Sequence, residues 1–213
     1  MQFEMKQPSV ELVIRDGMGV LSRAVKRLFD IFFSLIGLVL LSPVFLAVYI
    51  MLRKQGDGPV IFSQERIGYK GKPFFILKFR TMKMDSENGT PVLAKKGDDR
   101  LTPVGKFLRE HHLDELPQLW NVFKGEMSFV GPRPERQFFI DRIKEHNPNY
   151  DYIYLMRPGL TSHATMYNGY TDTMEKMLVR LQMDLDYLQN RSLWLDCKII
   201  VKTALMIIYG KKF

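Results

Sequence analysis

From Ile31 to Leu52 the chain carries no charged side chain. At ~1.5 Å per residue a helix of that length would reach roughly 33 Å, about the hydrocarbon thickness of a bilayer. The run is too long, and starts too far from the N-terminus, for a cleavable leader, so it is expected to stay in the mature protein. Ser42-Pro43 sits at its middle. Proline cannot donate to the carbonyl of Val39 and its ring crowds that turn, so a sharp bend is predicted there, with the serine hydroxyl available to cap a freed carbonyl. Both flanks are basic, with Arg23, Lys26 and Arg27 before and Arg53 and Lys54 after. That arrangement suits a helix pair entering and leaving by one face. A kinked span stays open beside it. Asp30, one turn into the apolar region, is expected to pair with Lys26 or Arg27.

The 213 residues can bury one good-sized core, and no low-complexity linker divides the region after residue 55. The +8 balance suits an anionic partner, be it phospholipid, nucleotide phosphate or nucleic acid. Cys197, the single cysteine, excludes an internal disulfide and reads as a small core residue. The chain has no GxxxxGK[ST] loop, GxGxxG after a strand, HExxH or GxSxG, which removes support for nucleoside triphosphate hydrolysis, dinucleotide redox, zinc proteolysis and serine hydrolysis.

Val60-Ile61-Phe62 and Phe74-Phe75-Ile76-Leu77 flank the turn Gly68 to Pro73 and read as short strands. Residues 85 to 100 are polar, with an Asn88-Gly89 turn, and read as a mobile loop near the site. Thr102-Pro103 is an N-cap and first-turn proline for a helix through Val104, Phe107, Leu108 and His111. A second helix is predicted to start at Asp114, with Leu116, Leu119, Trp120 and Phe123 as its apolar face and Gly125 as its end. Met174, Met177, Leu178, Leu181, Leu185 and Leu188 form a third stripe. Leu193, Trp194, Cys197, Ile200, Val201, Ala204, Leu205 and Ile208 form a fourth, expected to line the core, with Lys198, Lys202, Lys211 and Lys212 on its polar side; the alternative is a helix at the membrane interface with those lysines toward headgroups.

The chemistry concentrates around Asp114-Glu115. Adjacent acids are usually a solvated helix start. An aspartate can also attack phosphorus, giving an acyl phosphate, when a metal ion or cationic side chains neutralise the developing charge, and a neighbouring glutamate can help hold the metal or act as a base. Lys78, Arg80, Arg100, Arg109 and Arg133 are candidate phosphate clamps; Arg133, fixed between Pro132 and Pro134, would lose little entropy on binding. His111 is expected to be packed and His112 to face solvent, and Trp120, Phe129 and Tyr167 to be core.

Several motifs occur in one order: Lys26-Arg27-Leu28-Phe29-Asp30, the apolar run with Ser42-Pro43, Lys78-Phe79-Arg80-Thr81-Met82, Leu113 to Val122, Gly131-Pro132-Arg133-Pro134 and Arg157-Pro158-Gly159-Leu160-Thr161. In this the chain, over roughly residues 24 to 208, resembles the bacterial sugar transferases, monotopic polyprenyl-phosphate phosphoglycosyl transferases. The resemblance implies a re-entrant hairpin bent at Ser42-Pro43 with both ends cytoplasmic. It implies that Asp114 attacks the β-phosphorus of a UDP-sugar, that UMP leaves, and that the phosphosugar passes to undecaprenyl phosphate. It further implies Mg2+ on Asp114 and Glu115, phosphate or nucleotide contacts from Lys78, Arg80, Arg109, Pro132, Arg133 and Pro134, and a nucleotide-side role for Arg157. The chain departs from the family pattern after Thr161, where Ser162-His163 replace the usual Gly-Trp, which leaves the sugar open.

The expected fold is α+β and mainly helical. Residues 1–25 form a cytosolic or interfacial segment, 26–54 the re-entrant membrane hairpin, and 55–213 a compact cytosolic catalytic domain with a small β element. The expected setting is the cytoplasmic membrane of a bacterium, with the catalytic domain on its cytoplasmic face. The expected partners are a UDP-sugar, undecaprenyl phosphate and membrane phospholipid, with no nucleic acid; a homodimer is compatible with all of this. The rivals are a membrane-anchored adaptor binding anionic polymers or lipids, and a phosphatase working through an aspartyl phosphate.

Overall fold

The computed structural model describes residues 14–56, 58–84, 86, 91, 98–168 and 171–209. Most of the loop expected over 85–100, with its Asn88-Gly89 turn, and Lys211 and Lys212 lie outside them. The apolar run forms two helices, α1 (Val20–Leu40) and α2 (Ser42–Gln55), bent by 58° at the predicted break. Pro43 falls in the first turn of α2, and the Ser42 hydroxyl donates to the orphaned Val39 carbonyl at 2.8 Å. Among the described residues no single helix is long and apolar enough to cross a membrane, whereas this bent pair together has the length and composition.

The hairpin is built into the rest of the molecule. Val48 and Leu52 of α2 are buried against Val60, Phe79 and Leu108. Each such side chain contributes about 1.5–3 kcal/mol when fully buried. Upstream, Asp30 accepts hydrogen bonds from Ser128 Oγ and the Phe129 N–H, both at 3.1 Å. The charges of Lys26 and Arg27 offset part of its burial, as expected, but neither forms an ion pair with it. Lys26 reaches Asp196 at 2.5 Å, and Arg27 donates to the carbonyls of Val122 and Phe123. Helix α1 also begins at Val20, inside the segment expected to run to residue 25, and ahead of it Ile14 and Met18 are buried while Asp16 pairs with Arg191.

Strands β1 (Ile61–Ile67) and β2 (Pro73–Phe79) pair antiparallel around the Tyr69–Gly71 turn, as the two apolar runs predicted. Helix α3 (Pro103–Glu110) has its Thr102 cap, with the Gly105 N–H donating to Oγ1 at 2.9 Å. Helix α4 (Gln118–Lys124) ends at Gly125, whose φ of 92° suits glycine. Strands β3 (Ser128–Val130) and β4 (Gly159–Thr161) make a parallel pair with no strong alternation in the sequence to announce it. Their backbones approach so closely that a Cβ on Gly159 would lie 2.2 Å from the Gly131 nitrogen.

Helices α5 (Gln137–His146), α6 (Thr165–Asn168), α7 (Met174–Asn190) and α8 (Leu193–Ile208) complete the chain. Met177, Leu181, Leu185 and Leu188 of α7 pack with Phe139, Ile140 and Ile143 of α5 in the main core, as their spacing predicted. The expectation that α8 turns its stripe into the core is overturned. Asp196, Ile199 and Thr203 form a narrow strip against β3 and β4, with Thr203 Oγ1 2.9 Å from Thr161 Oγ1, while Trp194, Val201 and Tyr209 are exposed. Cys197 is therefore exposed rather than core. Trp120 and Tyr167, expected inside, are exposed as well.

Candidate active site

Asp114 and Glu115 lie in a short 3-10 turn, Leu113–Glu115, and the α-helix begins only at Gln118. Pro117 has no N–H with which to bond the Leu113 carbonyl, so the α-pattern cannot start at Asp114 as expected, and the carboxylate is not at the α4 terminus. His112 enters the turn with a φ of 54°, rare for a side chain with a Cβ, which swings the next two residues back toward β2. His111 is the exposed histidine, its Nδ1 bonded to the Phe107 carbonyl, and His112 is the more covered one, the reverse of the expectation.

Three segments supply cations. Lys78 of β2 donates to Glu115 Oε1 at 2.7 Å, and Arg133 donates to the same oxygen at 3.0 Å. Arg109 of α3 is steadied by Thr81 Oγ1 at 3.1 Å and faces the same cavity. The two acids are thereby pushed apart. Burial would raise Glu115, but Lys78 and Arg133 outweigh it and hold its carboxyl far below the usual range. Burial, then the neighbouring Glu115 charge, raises Asp114 against the pull of Lys78, Arg109 and Arg133. Asp114 is 6% exposed and accepts no hydrogen bond from the described side chains. Glu115 is thus the paired carboxylate and Asp114 the unbonded one.

The other expected residues are distributed differently. Arg80 is buried and donates to the Gly56 carbonyl at the end of α2, with Nε and one terminal nitrogen unpartnered at the cavity wall. Arg100 is held by Asp98 at 2.6 Å. Pro132 and Pro134 hold the loop, their carbonyls accepting from the Gly159 N–H and from Arg66. Arg157 does not face the carboxylates: its Nε donates to the Gly125 carbonyl and its guanidinium lies over Tyr69. Ser162, where the family pattern is left, caps α6 by accepting from the Thr165 N–H at 2.9 Å.

A buried ionic cluster beyond Arg133 was not foreseen. Glu135 takes Arg180 at 2.7 Å and Arg66 at 3.3 Å, Arg180 also reaches Thr171, and Asp184 is buried with Oδ1 unpartnered. Burial pushes Asp184 up to about 7. The only signal was Arg180 and Asp184 at i and i+4 inside an apolar stripe. Arg66, Glu135 and Arg180 line the same cavity as Asp114, which has a volume of about 1550 Å³.

Among the described residues no three acids, histidines or cysteines gather into a metal cage. The pair Asp114 and Glu115 still fits Mg2+, which commonly binds one or two carboxylates and completes its shell with water and substrate phosphates. The free oxygens of Asp114 and Glu115 Oε2, which takes neither cation, are the donors available.

The site is a buried carboxylate among cationic side chains, in a cavity also lined by the bent apolar helix pair. The bacterial sugar transferase family matches residues 21–210, and the chain belongs to that family. It is 40% identical over 186 residues to the UDP-N-acetylgalactosamine-undecaprenyl-phosphate N-acetylgalactosaminephosphotransferase of Aeromonas hydrophila, covering 87% of this chain and 44% of that protein. It is 42% identical over 181 residues to the UDP-glucose:undecaprenyl-phosphate glucose-1-phosphate transferase of Klebsiella pneumoniae, covering 84% and 39%. With the protein of that same name from Caulobacter vibrioides it shares 40% over 203 residues, covering 92% and 76%. The chain thus spans about two fifths of the length of the first two relatives and three quarters of the third.

Proposed function

We propose that this protein is a phosphoglycosyl transferase that moves a sugar-1-phosphate from a UDP-sugar to undecaprenyl phosphate, working on the cytoplasmic face of a bacterial membrane. The observation that carries the reading is the division of labour in the carboxylate pair: Glu115 is neutralised by Lys78 and Arg133, and Asp114 is buried and unbonded among the same cations. A purely electrostatic adaptor has no use for a carboxylate held this way.

In the first step an Asp114 oxygen forms a bond to the β-phosphorus of the donor and the bond to the UMP oxygen breaks, so UMP leaves with that electron pair. In the second, a phosphate oxygen of the lipid attacks the same phosphorus and the Asp114 carboxylate is expelled. The product is a lipid diphosphate sugar, and Asp114 is regenerated. Arg109 and Arg133 are placed to neutralise the phosphoryl oxygens, and Lys78 and Glu115 to hold Arg133 in position. Mg2+, held by Asp114 and Glu115 when bound, would supply further charge neutralisation at the phosphates. The bent α1–α2 pair supports a re-entrant anchor that keeps this pocket at the headgroup layer.

The test is UMP release by the purified chain from a panel of UDP-sugars with Mg2+, with and without undecaprenyl phosphate. Lipid-dependent release that Asp114→Asn abolishes is expected. A folded preparation that releases UMP from no donor would point to an adaptor, and release of inorganic phosphate without a lipid acceptor would point to a phosphatase.

A further inference from the structure

Arg133 and Glu135 stand two residues apart, and both line the cavity that holds Asp114. Pro134 between them keeps Arg133 out of the α region, and Glu135 pairs with Ile67 in an antiparallel bridge, so the stretch is extended. Residues i and i+2 of an extended chain point to one side and lie roughly 6–7 Å apart. A group held by its phosphate at Arg133 therefore reaches Glu135 with its far end.

Three elements meet at Glu135. Arg180 of α7 donates to its Oε1 at 2.7 Å and Arg66 of β1 to its Oε2 at 3.3 Å, while Arg180 also donates to the Thr171 hydroxyl at 2.8 Å. Burial would raise the Glu135 carboxyl, but the two arginines outweigh it, so it is a charged acceptor at neutral pH. A carboxylate has about four lone-pair sites, and these bonds take one on each oxygen. Thr171 Oγ1 accepts from Arg180, which leaves its own proton to donate. The corner thus sets an acceptor beside a donor on the cavity wall. It does not satisfy itself, since Arg66 Nε is buried without an acceptor. A buried ion network with a purely structural role closes on its own partners and packs away from open space.

The displacement proposed above decides which part of the donor comes here. The attacking Asp114 oxygen and the departing UMP oxygen lie roughly in line through the β-phosphorus, and the sugar oxygen is one of the three groups around its sides. UMP therefore leaves away from the carboxylates, whereas the arm past Arg133 starts beside them, where Arg133 bonds Glu115. Accepting the transferase reading, we infer that Glu135, Thr171 and Arg180 seat the hexose of the donor and read its hydroxyl edge opposite the anomeric carbon, around C-4. A pyranose measured from its anomeric phosphate to the C-4 hydroxyl matches the step from Arg133 to Glu135, and a hydroxyl both donates and accepts, as this corner requires. A second phosphate or a uronate carboxylate would meet the Glu135 charge at the same place.

The full chain in lipid nanodiscs, carrying Asp114→Asn to stop turnover, is titrated calorimetrically with UDP, UDP-glucose and UDP-N-acetylgalactosamine. Adding Glu135→Gln is expected to weaken the better-bound sugar donor by at least roughly tenfold while UDP affinity changes by less than about twofold. Equal weakening of UDP and the sugar donor would assign the corner to the nucleotide or to the fold alone and overturn the inference. Unchanged affinity for both, or failure of the parent Asp114→Asn chain to bind any of the three, would overturn it as well. A second measurement leaves Glu135 intact and so stands even if Glu135→Gln does not fold. An analogue of the preferred donor lacking its C-4 substituent is expected to bind at least roughly tenfold more weakly, and one lacking its C-2 substituent to lose less. An equal or greater loss at C-2 would sink the reading of the far edge. Binding needs no turnover, so the expected pattern in a protein whose wild type releases no UMP would remove the transferase reading and leave the sugar seat standing. Lipid-dependent UMP release without that pattern would do the reverse.

Discussion

Lys78 Nζ sits 2.7 Å from Glu115 Oε1, and this contact makes two adjacent carboxylates chemically different. The lysine is itself pulled down by burial and held charged chiefly by Glu115. Arg133 completes the group from the far side. Remove the glutamate charge and both cations turn to the remaining acid.

Glu115→Gln is therefore expected to lower the pKa of Asp114, because a negative neighbour that raised it is gone and the cations are freed. In the proposed mechanism Asp114 attacks as the carboxylate, so the acid limb of log kcat/KM against pH should move to lower pH. The plateau should fall by roughly tenfold to a hundredfold as Arg133 loses its anchor. A plateau loss with an unmoved acid limb would contradict this account.

Asp184 offers a stability test in another part of the cavity. Its native pKa of about 7 lies above that of an unfolded aspartate, so the folded protein holds a proton the unfolded chain has released. The associated stability is full below an unfolded pKa of about 3.9 and is lost as pH rises through about 7, by at most about 4 kcal/mol. Asp184→Asn should raise the melting temperature at pH 8 relative to wild type and flatten its dependence between about pH 5 and 8. Melting in detergent by intrinsic fluorescence would read this.

Asp30→Ala removes the acceptor for Ser128 and for the Phe129 N–H at a buried position. A cost of about 1–3 kcal/mol is expected, with a fall in melting temperature of roughly 2–4 °C per kcal/mol. Activity should fall further than stability explains, since Phe129 lies on the strand leading to Arg133.

The bend at Ser42-Pro43 is tested by topology. In a Cys197→Ser background, cysteines at the exposed positions Ala24 and Lys54 should both react with an impermeant maleimide from the same side of sealed vesicles. Labelling from opposite sides would establish a kinked span. Pro43→Ala, which restores a donor for Val39, is expected to move part of the population toward that state.

Features with a local cause were legible in the sequence. The break at Pro43, the Thr102 cap, the β1–β2 hairpin and the buried stripe of α7 each follow from a few neighbouring residues. The carboxylate pair, Lys78 and Arg133 were singled out by residue type, and the fold brings them together, with the two cations paired to Glu115 where the sequence had suggested only phosphate clamps. What escaped depends on long-range pairing. Asp30 bonds to Ser128 and Lys26 forms its ion pair with Asp196, contacts that no helical spacing encodes. The periodicity of α8 was visible, but a stripe facing a protein core and one left exposed have the same spacing. Pro117 was read as a first-turn residue of a helix from Asp114, and its missing donor instead delays that helix to Gln118.

Gly37 and Leu41 belong to the apolar hairpin, yet they wall the same cavity as Asp114. The hairpin and the carboxylate cavity are thus one piece of architecture with a shared surface. A truncation that deletes the hairpin for the sake of solubility would not yield a detached catalytic domain. It would leave a pocket with one side missing, and Val60, Phe79 and Leu108 stripped of their cover.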